Sequence, residues 1–445
     1  MIISRSTATT NLCQRAKKSR WNFVNKRNLA ATTITRRPLQ PFLLERFDGW
    51  NDSTMSLSSS ECEALSLKEL MTYADDKGLE RWDSLSLGYV EPSNGSDYLR
   101  EEIIKSQFNN QLTQLDPSYS VNVCAPQEGI FLAIQALCQP GDHIVAVAPA
   151  YQSLHEVAAS IGCEVSLWWP EEREIEVEDR QQTKTTTTCM HFDPSTLEQL
   201  IQPNKTKLVI ANFPHNPTGA LPSLEEFRAM ADLVGGMGNA WFLLDEMYRG
   251  LEHAGADHRL PPIATVMPRG ISLGGVSKSF GLPGLRIGWL VNQDRDFHKR
   301  VSELKDYTTI CPPAPSEALA YIALRAQEQL WQRSHSILQE GLPRLREFVQ
   351  ATTATAQDRY SFEWCEPMGG TFAWVKFSDR HGTTTASEYS EAVRQRTGLM
   401  MVPSGLFPEC LPENDRLRMT YGKKGVPELL QVLERDLALS REEDL

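Results

Sequence analysis

The apolar run Ile271-Ser-Leu-Gly-Gly-Val276 ends in Ser277-Lys278 and opens a loop that carries Gly281, Gly284 and Arg286. A lysine so placed leaves a buried strand at its carboxyl end, the edge where open α/β sheets collect ligands. Burial there disfavours the ammonium, and a neutral lysine amine can form a Schiff base. Arg286 offers a planar fork of donors suited to a phosphate. Two other strand ends present polar groups to the same edge. Asn212-Phe-Pro-His-Asn-Pro-Thr-Gly219 closes one strand in a turn-forming run that points Asn216 outward. Leu243-Leu-Asp-Glu-Met-Tyr248 closes another, with Asp245 directly after an apolar run. A carboxylate at that depth is costly without a cation or donor, which makes a ligand's ring nitrogen a suitable partner. Tyr248, three residues on, reaches the same ligand from another side.

These residues meet only if the chain builds the strands that carry them. From about residue 121 to 292, short β-type runs alternate with helical patterns, predicting a mostly parallel sheet covered by helices on both faces. The predicted strands are 121–124, 143–148, 207–212, 241–245, 271–274 and 287–291. Ser223 and Glu226 form a capping-box signature for a crossover helix ending near Gly235, with Leu224, Phe227, Ala231 and Val234 on its sheet-facing stripe. Ser66 and Glu69 repeat that signature after the segments 47–51 and 57–65. Residues 98–104 read as a helix behind the Gly- and Pro-punctuated loop 87–95. The stretch 171–190, with alternating glutamates and four consecutive threonines, is expected as a solvated insertion without regular structure. Farther on, residue 316 to about 339 reads as helical. Residues 368–376, 398–402 and 416–421 read as strands of a second, smaller unit, and Pro427 starts an amphipathic closing helix.

With 445 residues and 41% hydrophobic content the chain can bury a large core. Nine of its 45 basic residues and none of its 57 acidic ones fall in residues 1–44. The net charge of −12 therefore becomes −21 for the remainder, a body that repels nucleic acid. The Ser-, Thr- and Arg-rich tail has the composition of an organelle transit peptide, pointing to a mitochondrion or plastid. No apolar run approaches the roughly 18 residues that span a bilayer, so no membrane role is expected. The nine cysteines show no CxxC pair and read as reduced. Neither His253 with His258 nor Asp294 with Asp296 has the companions of a metal site, and no metal is expected.

Taken together, Asn216 in its Asn-Pro-Thr-Gly turn, the Asp245-x-x-Tyr248 strand end, Ser277-Lys278 and the Gly281-x-x-Gly284-x-Arg286 loop resemble the fold type I pyridoxal-phosphate enzymes of the class I/II aminotransferase family. The resemblance runs from about Tyr89 to the C-terminal helix. It implies an α/β large domain over 89–312, and a smaller α+β domain from the terminal segments 45–88 and 313–445. By the same resemblance, Lys278 corresponds to the Schiff-base lysine and Asp245 to the partner of the pyridine nitrogen. Asn216 and Tyr248 correspond to partners of the ring oxygen, Tyr151 to the stacking aromatic, and Ser277 and Arg286 to phosphate ligands. The turn Cys124-Ala-Pro-Gln-Glu-Gly129 matches the family's phosphate cradle at a helix N-terminus. There Pro126 lacks an N–H, which shifts the task to Gln127; Gly275 stands where many members have a serine. Tyr89 corresponds to a tyrosine that reaches the neighbouring subunit's phosphate, implying a homodimer with shared sites. Arg418 corresponds to the arginine that grips the substrate α-carboxylate. The implied reaction is transfer of an amino group from an L-amino acid to a 2-oxo acid. Residues 87–89, 127–129 and 306–316 also look like a subgroup with arginine-modifying members, which keeps a lyase, cyclase or oxidase as the alternative.

Overall fold

The structure, a computed structural model, describes residues 36–45, 55–108, 115–178, 184–353, 359–410 and 415–443. The basic tail through residue 35 and the segment 47–51 lie outside them. In chain order the strands are β1 (Met55–Ser56), β2 (Val121–Cys124), β3 (His143–Val147), β4 (Glu164–Trp168), β5 (Glu171–Glu178), β6 (Lys184–His191), β7 (Thr206–Asn212), β8 (Trp241–Asp245), β9 (Gly270–Gly275), β10 (Gly288–Val291), β11 (Tyr360–Glu363), β12 (Phe372–Asp379), β13 (Leu399–Met400), β14 (Val402–Pro403) and β15 (Arg416–Thr420). Seven form the main sheet in the order β2-β10-β9-β8-β7-β3-β4, parallel except where β10 runs antiparallel to both its neighbours.

Strands β3, β8, β9 and β10 are buried at every position, which is why they are encoded as nearly unbroken apolar runs. The two-residue alternation of a strand then sorts their side chains between two cores. Leu290 of β10 joins Ile271 and Leu273 of β9 and Ile130 of the helix Pro126–Leu137. Its neighbours Trp289 and Val291 join Val121 and Val123 of β2 and Leu99 and Ile103 of the helix Asp97–Gln107. Both faces of the sheet are thus covered. Just before Lys278 the backbones of β9 and β10 are pressed close: a Cβ on Gly274 would stand 2.4 Å from the Trp289 indole nitrogen, and one on Gly275 3.0 Å from the Ile287 carbonyl oxygen. The glycine at 275 therefore has a packing reason.

The second sheet has the order β11-β12-β15-β14. Its core gathers Phe372, Val375 and Met419 with Leu345, Val393 and Leu430, which come from the helices Gln327–Thr353, Ala386–Thr397 and Val426–Glu443. β1 pairs in parallel with β13, Met55 opposite Leu399, and Leu57 enters the same core. The core around the second sheet therefore draws on an N-terminal segment as well as on C-terminal ones.

Capping boxes are present at Ser66 and at Ser223. Several expectations differ from the structure; the run 398–402 read as one strand divides into β13, paired with β1, and β14, paired with β15. Leu224 is 44% exposed and does not share the buried stripe, which runs through Phe227, Met230, Ala231 and Val234; at the first turn a residue can point past the sheet edge. The stretch expected to lack regular structure is a hairpin, β5 against β6, from Glu171 opposite His191 to Glu178 opposite Lys184. In sequence Ile175 and Val177 alternate with glutamates, and Ile175 stands opposite Thr187 in the register, a β-type pattern. The helical region after the sheet divides at Ala326 into Ala314–Arg325 and Gln327–Thr353. The edge strand β4, half-buried, was missing from the predicted set because its alternation is short.

Candidate active site

Strands β7, β8 and β9 run parallel; β7 and β8 end level, Asn212 opposite Asp245, while β9 runs two residues beyond Leu273, the partner of Asp245. The polar residues that follow each strand converge for that reason. Asn212 ties two of the ends together: its Nδ2 donates to the Asp245 carbonyl at 2.9 Å, and its Oδ1 accepts the Asn216 backbone N–H at 2.7 Å. Asp245 Oδ1 accepts one backbone N–H, from Met247 at 3.0 Å. Burial pushes this carboxyl up to about 7, against the opposing pull of the Met247 N–H and of Lys278. Tyr248 is buried edge-on to Phe372, with ring centroids 5.1 Å apart, and burial raises its phenol well above the ordinary range.

Lys278 Nζ donates to Ser60 Oγ at 2.7 Å and lies 4.0 Å from Glu61 Oε2. Desolvation draws its ammonium below the ordinary pKa, while Glu61 works in the other direction. Arg418 sits within β15, opposite Trp374 on one side and Val402 on the other, and is 2% exposed. Its Nη1 donates to Asn216 Oδ1 at 2.9 Å and its Nη2 to the Ser58 carbonyl at 2.7 Å. Its Nε is buried with no partner, and among the described residues it forms no ion pair. A guanidinium carries five N–H donors, so three remain for something else.

Sequence reasoning placed no site residue before Tyr89, yet the structure brings two earlier segments to the site. Residues 57–63 cross it, pinned by Cys62 N–H on the Lys278 carbonyl at 3.3 Å and by Glu63 N–H on the Gly422 carbonyl at 2.8 Å. Glu61 is thereby held between Lys278 and Lys423, whose Nζ is 2.9 Å away. Residues 36–45 lie along the helix Ser153–Ile161. Arg37 forms a bidentate pair with Glu156 at 2.6 and 2.7 Å, and Gln40 N–H donates to the same carboxylate at 2.6 Å. Within this strap Phe42 packs on the Tyr151 ring at 4.8 Å and Glu45 accepts the Tyr151 hydroxyl at 3.0 Å. Neither segment carries a local signal for these contacts: Ser60 and Lys278 are 218 residues apart.

The other predicted residues divide into two groups. Tyr151 acts electrostatically on, or is acted on by, Arg286, Asp245 and Arg418, which places it at this edge. Arg286 adopts a left-handed backbone, φ 55°, unusual for a residue with a Cβ, and donates to the Pro283 carbonyl at 2.9 Å. The Ser277 hydroxyl is buried without a partner among the described residues. Gln127 stands in the first turn of the helix Pro126–Leu137 and its Oε1 accepts from Ser153 Oγ at 3.3 Å. Tyr89 stands apart, 83% exposed and with no hydrogen bond among the described residues. Of the residues weighed as metal ligands, His253 bonds the Tyr421 hydroxyl at 2.7 Å and Asp294 caps a helix through Phe297 N–H at 2.8 Å.

Residues 53–433 match the family model described as aminotransferase class I and II. The chain is 28% identical over 321 residues to capreomycidine synthase of Streptomyces vinaceus, covering 71% of this chain and 72% of that one. It is 26% identical over 337 residues to an aspartate aminotransferase of Geobacillus stearothermophilus, covering 73% and 78%. Among solved structures, a pyridoxal-phosphate-dependent aminotransferase of Streptococcus suis superposes with a TM-score of 0.72 at 24% identity, over 90% of this chain and 99% of that one.

Proposed function

From the premise that the chain belongs to the aminotransferase class I and II family, and is a pyridoxal-phosphate-dependent enzyme, we propose that it transfers the amino group of an L-amino acid to a 2-oxo acid at Lys278. The observation that carries the amino-acid part is Arg418: a buried guanidinium with an unpartnered Nε and no ion pair among the described residues calls for an anionic ligand. The substrate α-carboxylate is that anion.

The residues suit the cofactor on their own chemistry. Asp245 is a buried carboxyl with one N–H donor and no ion pair among the described residues, the environment in which a protonated ring nitrogen would be held. The buried, unpartnered Ser277 hydroxyl and the Arg286 fork are donors for its phosphate, with the amide of Gln127 at a helix start. Tyr248 and Asn216 would bond the ring oxygen, and Tyr151 would cover the ring face. When bound, pyridoxal phosphate supplies an electron sink for the carbanion at the substrate α-carbon. Lys278 Nζ would hold the cofactor and, once displaced by the substrate amine, would take the α-proton and deliver it to a carbon of the cofactor rather than back to the substrate α-carbon. Asn216, held by Asn212 and by Arg418, keeps the carboxylate grip and the ring contact in one frame.

The exposed Tyr89, with Leu87 at 82%, Tyr307 at 91% and Ile310 at 51%, supports a homodimer in which Tyr89 completes the partner's phosphate site. Import into a mitochondrion or plastid is proposed for the basic tail. A lyase, cyclase or oxidase is the second reading, kept open by the likeness to capreomycidine synthase, whose name is not that of an aminotransferase. The test is a single-turnover absorbance titration of the holoenzyme with a panel of amino acids. Transamination predicts stoichiometric 2-oxo acid and conversion of the bound cofactor to its amine form, reversed by adding a 2-oxo acid. Product formation with the cofactor's spectrum restored and no 2-oxo acid would establish the second reading instead.

A further inference from the structure

Glu61 belongs to a part of the site that the roles above do not use. Its carboxylate, 22% exposed, stands between two lysines: 2.9 Å from Lys423 Nζ and 4.0 Å from Lys278 Nζ. The segment that carries it is anchored to Lys278 itself, because Cys62 N–H bonds the Lys278 carbonyl and Ser60 Oγ accepts from Lys278 Nζ. We propose, building on the role given to Lys278 above, that Glu61 is a positioning residue: with Ser60 it parks the Lys278 amine whenever that amine is free, and sets how readily it takes up a proton.

The charges around Lys278 come from several elements. Arg418 approaches from β15, Asp245 from the end of β8, Glu45 from the strap and Glu61 from the crossing segment. Arg418 and burial favour the neutral amine; the three carboxylates favour the ammonium. Asp245 is assigned to the cofactor ring and Glu45 is bonded to Tyr151, which leaves Glu61, 4.0 Å from the amine and next in sequence to the serine that accepts from it, as the carboxylate beside the amine's resting place. Burial alone would raise the Glu61 carboxyl, but Lys278 and Lys423 hold it below its ordinary value, so it is an anion at neutral pH. Lys423 competes for that anion, and the proton affinity of Lys278 depends on how the carboxylate is shared.

The sharing gives opposite signs for two substitutions. In cofactor-free protein, trace labelling of Lys278 with dinitrofluorobenzene across pH, read on the Lys278 peptide by mass spectrometry, reports the titration of its amine without turnover. Glu61→Gln keeps a partner for Lys423 but removes the charge, and should lower the labelling midpoint by about one pH unit, a roughly tenfold loss of proton affinity. Lys423→Met frees the carboxylate for Lys278 and should raise it. Glu61→Asp should fall between Glu61→Gln and the parent. Midpoints unchanged, or shifted in the same direction in both variants, overturn the proposal; if Glu61→Gln does not fold, an unchanged or lowered midpoint in Lys423→Met overturns it alone. Loss of the visible cofactor absorbance in the parent protein would instead refute the assignment of Lys278, so the two failures are distinguishable.

Discussion

Replacing Arg418 by alanine tests whether an α-carboxylate is bound at all. In the structure two of its five N–H groups are committed, to Asn216 Oδ1 and to the Ser58 carbonyl, and the geometry leaves the pair needed for a bidentate carboxylate. Truncation leaves a buried carboxylate without its cation, which costs roughly 3 to 5 kcal/mol. At a factor of ten per 1.4 kcal/mol, kcat/KM for the best amino acid should fall by about a hundredfold to a few thousandfold. The same change strips a donor from Asn216 and from Ser58, each a buried acceptor, so stability must be measured beside activity. The comparison that separates the two effects is the amine lacking the carboxylate. Its kcat/KM should fall only by the share due to lost positioning of Asn216, and the amino acid's advantage should largely vanish. Lysine at 418 should restore part of it, because a point charge cannot supply two parallel hydrogen bonds. An equal fall for amino acid and amine would refute the argument and leave Arg418 with a structural role only.

Three further outcomes are expected. Asp245→Asn should stabilise the cofactor-free protein at high pH: the carboxyl titrates at 3.8 when unfolded and at about 7 when folded, so its penalty is absent below pH 4 and complete only above pH 7. The gain, by thermal melts, should grow across that window toward a ceiling of about 4 kcal/mol, while cofactor affinity falls; a pH-independent gain would contradict it. Removal of residues 1–35 should leave melting and cofactor titration unchanged, whereas removal of 1–45 takes away Arg37, Gln40, Phe42 and Glu45 and should weaken both; equal behaviour of the two truncations would show that the strap does not support Tyr151. Mixing Tyr89→Phe with Lys278→Ala subunits should generate one fully functional site per heterodimer, and activity no greater than the sum of the separate variants, with exchange confirmed, would place each site within one chain.

Lys278, Asp245 and Asn216 could be located from the sequence because the information is local: an apolar run makes a buried strand, and the first polar residues after it must stand at that strand's end. The capping boxes at Ser66 and Ser223 were legible for the same reason, since donor and acceptor lie three residues apart. The hairpin Glu171–His191 was misread although its alternation was present, because the polar residues on both of its faces hid the period. The exposure of Leu224 was hidden too, since periodicity places a residue on a face but does not say where the sheet beneath that face ends. The resemblance supplied Arg418 and Tyr151, whose own surroundings in sequence are unremarkable. What only the tertiary structure decided is the company these residues keep: Arg418 against Asn216, 202 positions away, Tyr151 under Glu45 across 106, and Ser60 and Glu61 beside Lys278. Such contacts depend on the crossing angle of segments and the depth of a cleft, which arise from packing two cores together, and no pattern within either partner's own neighbourhood encodes them.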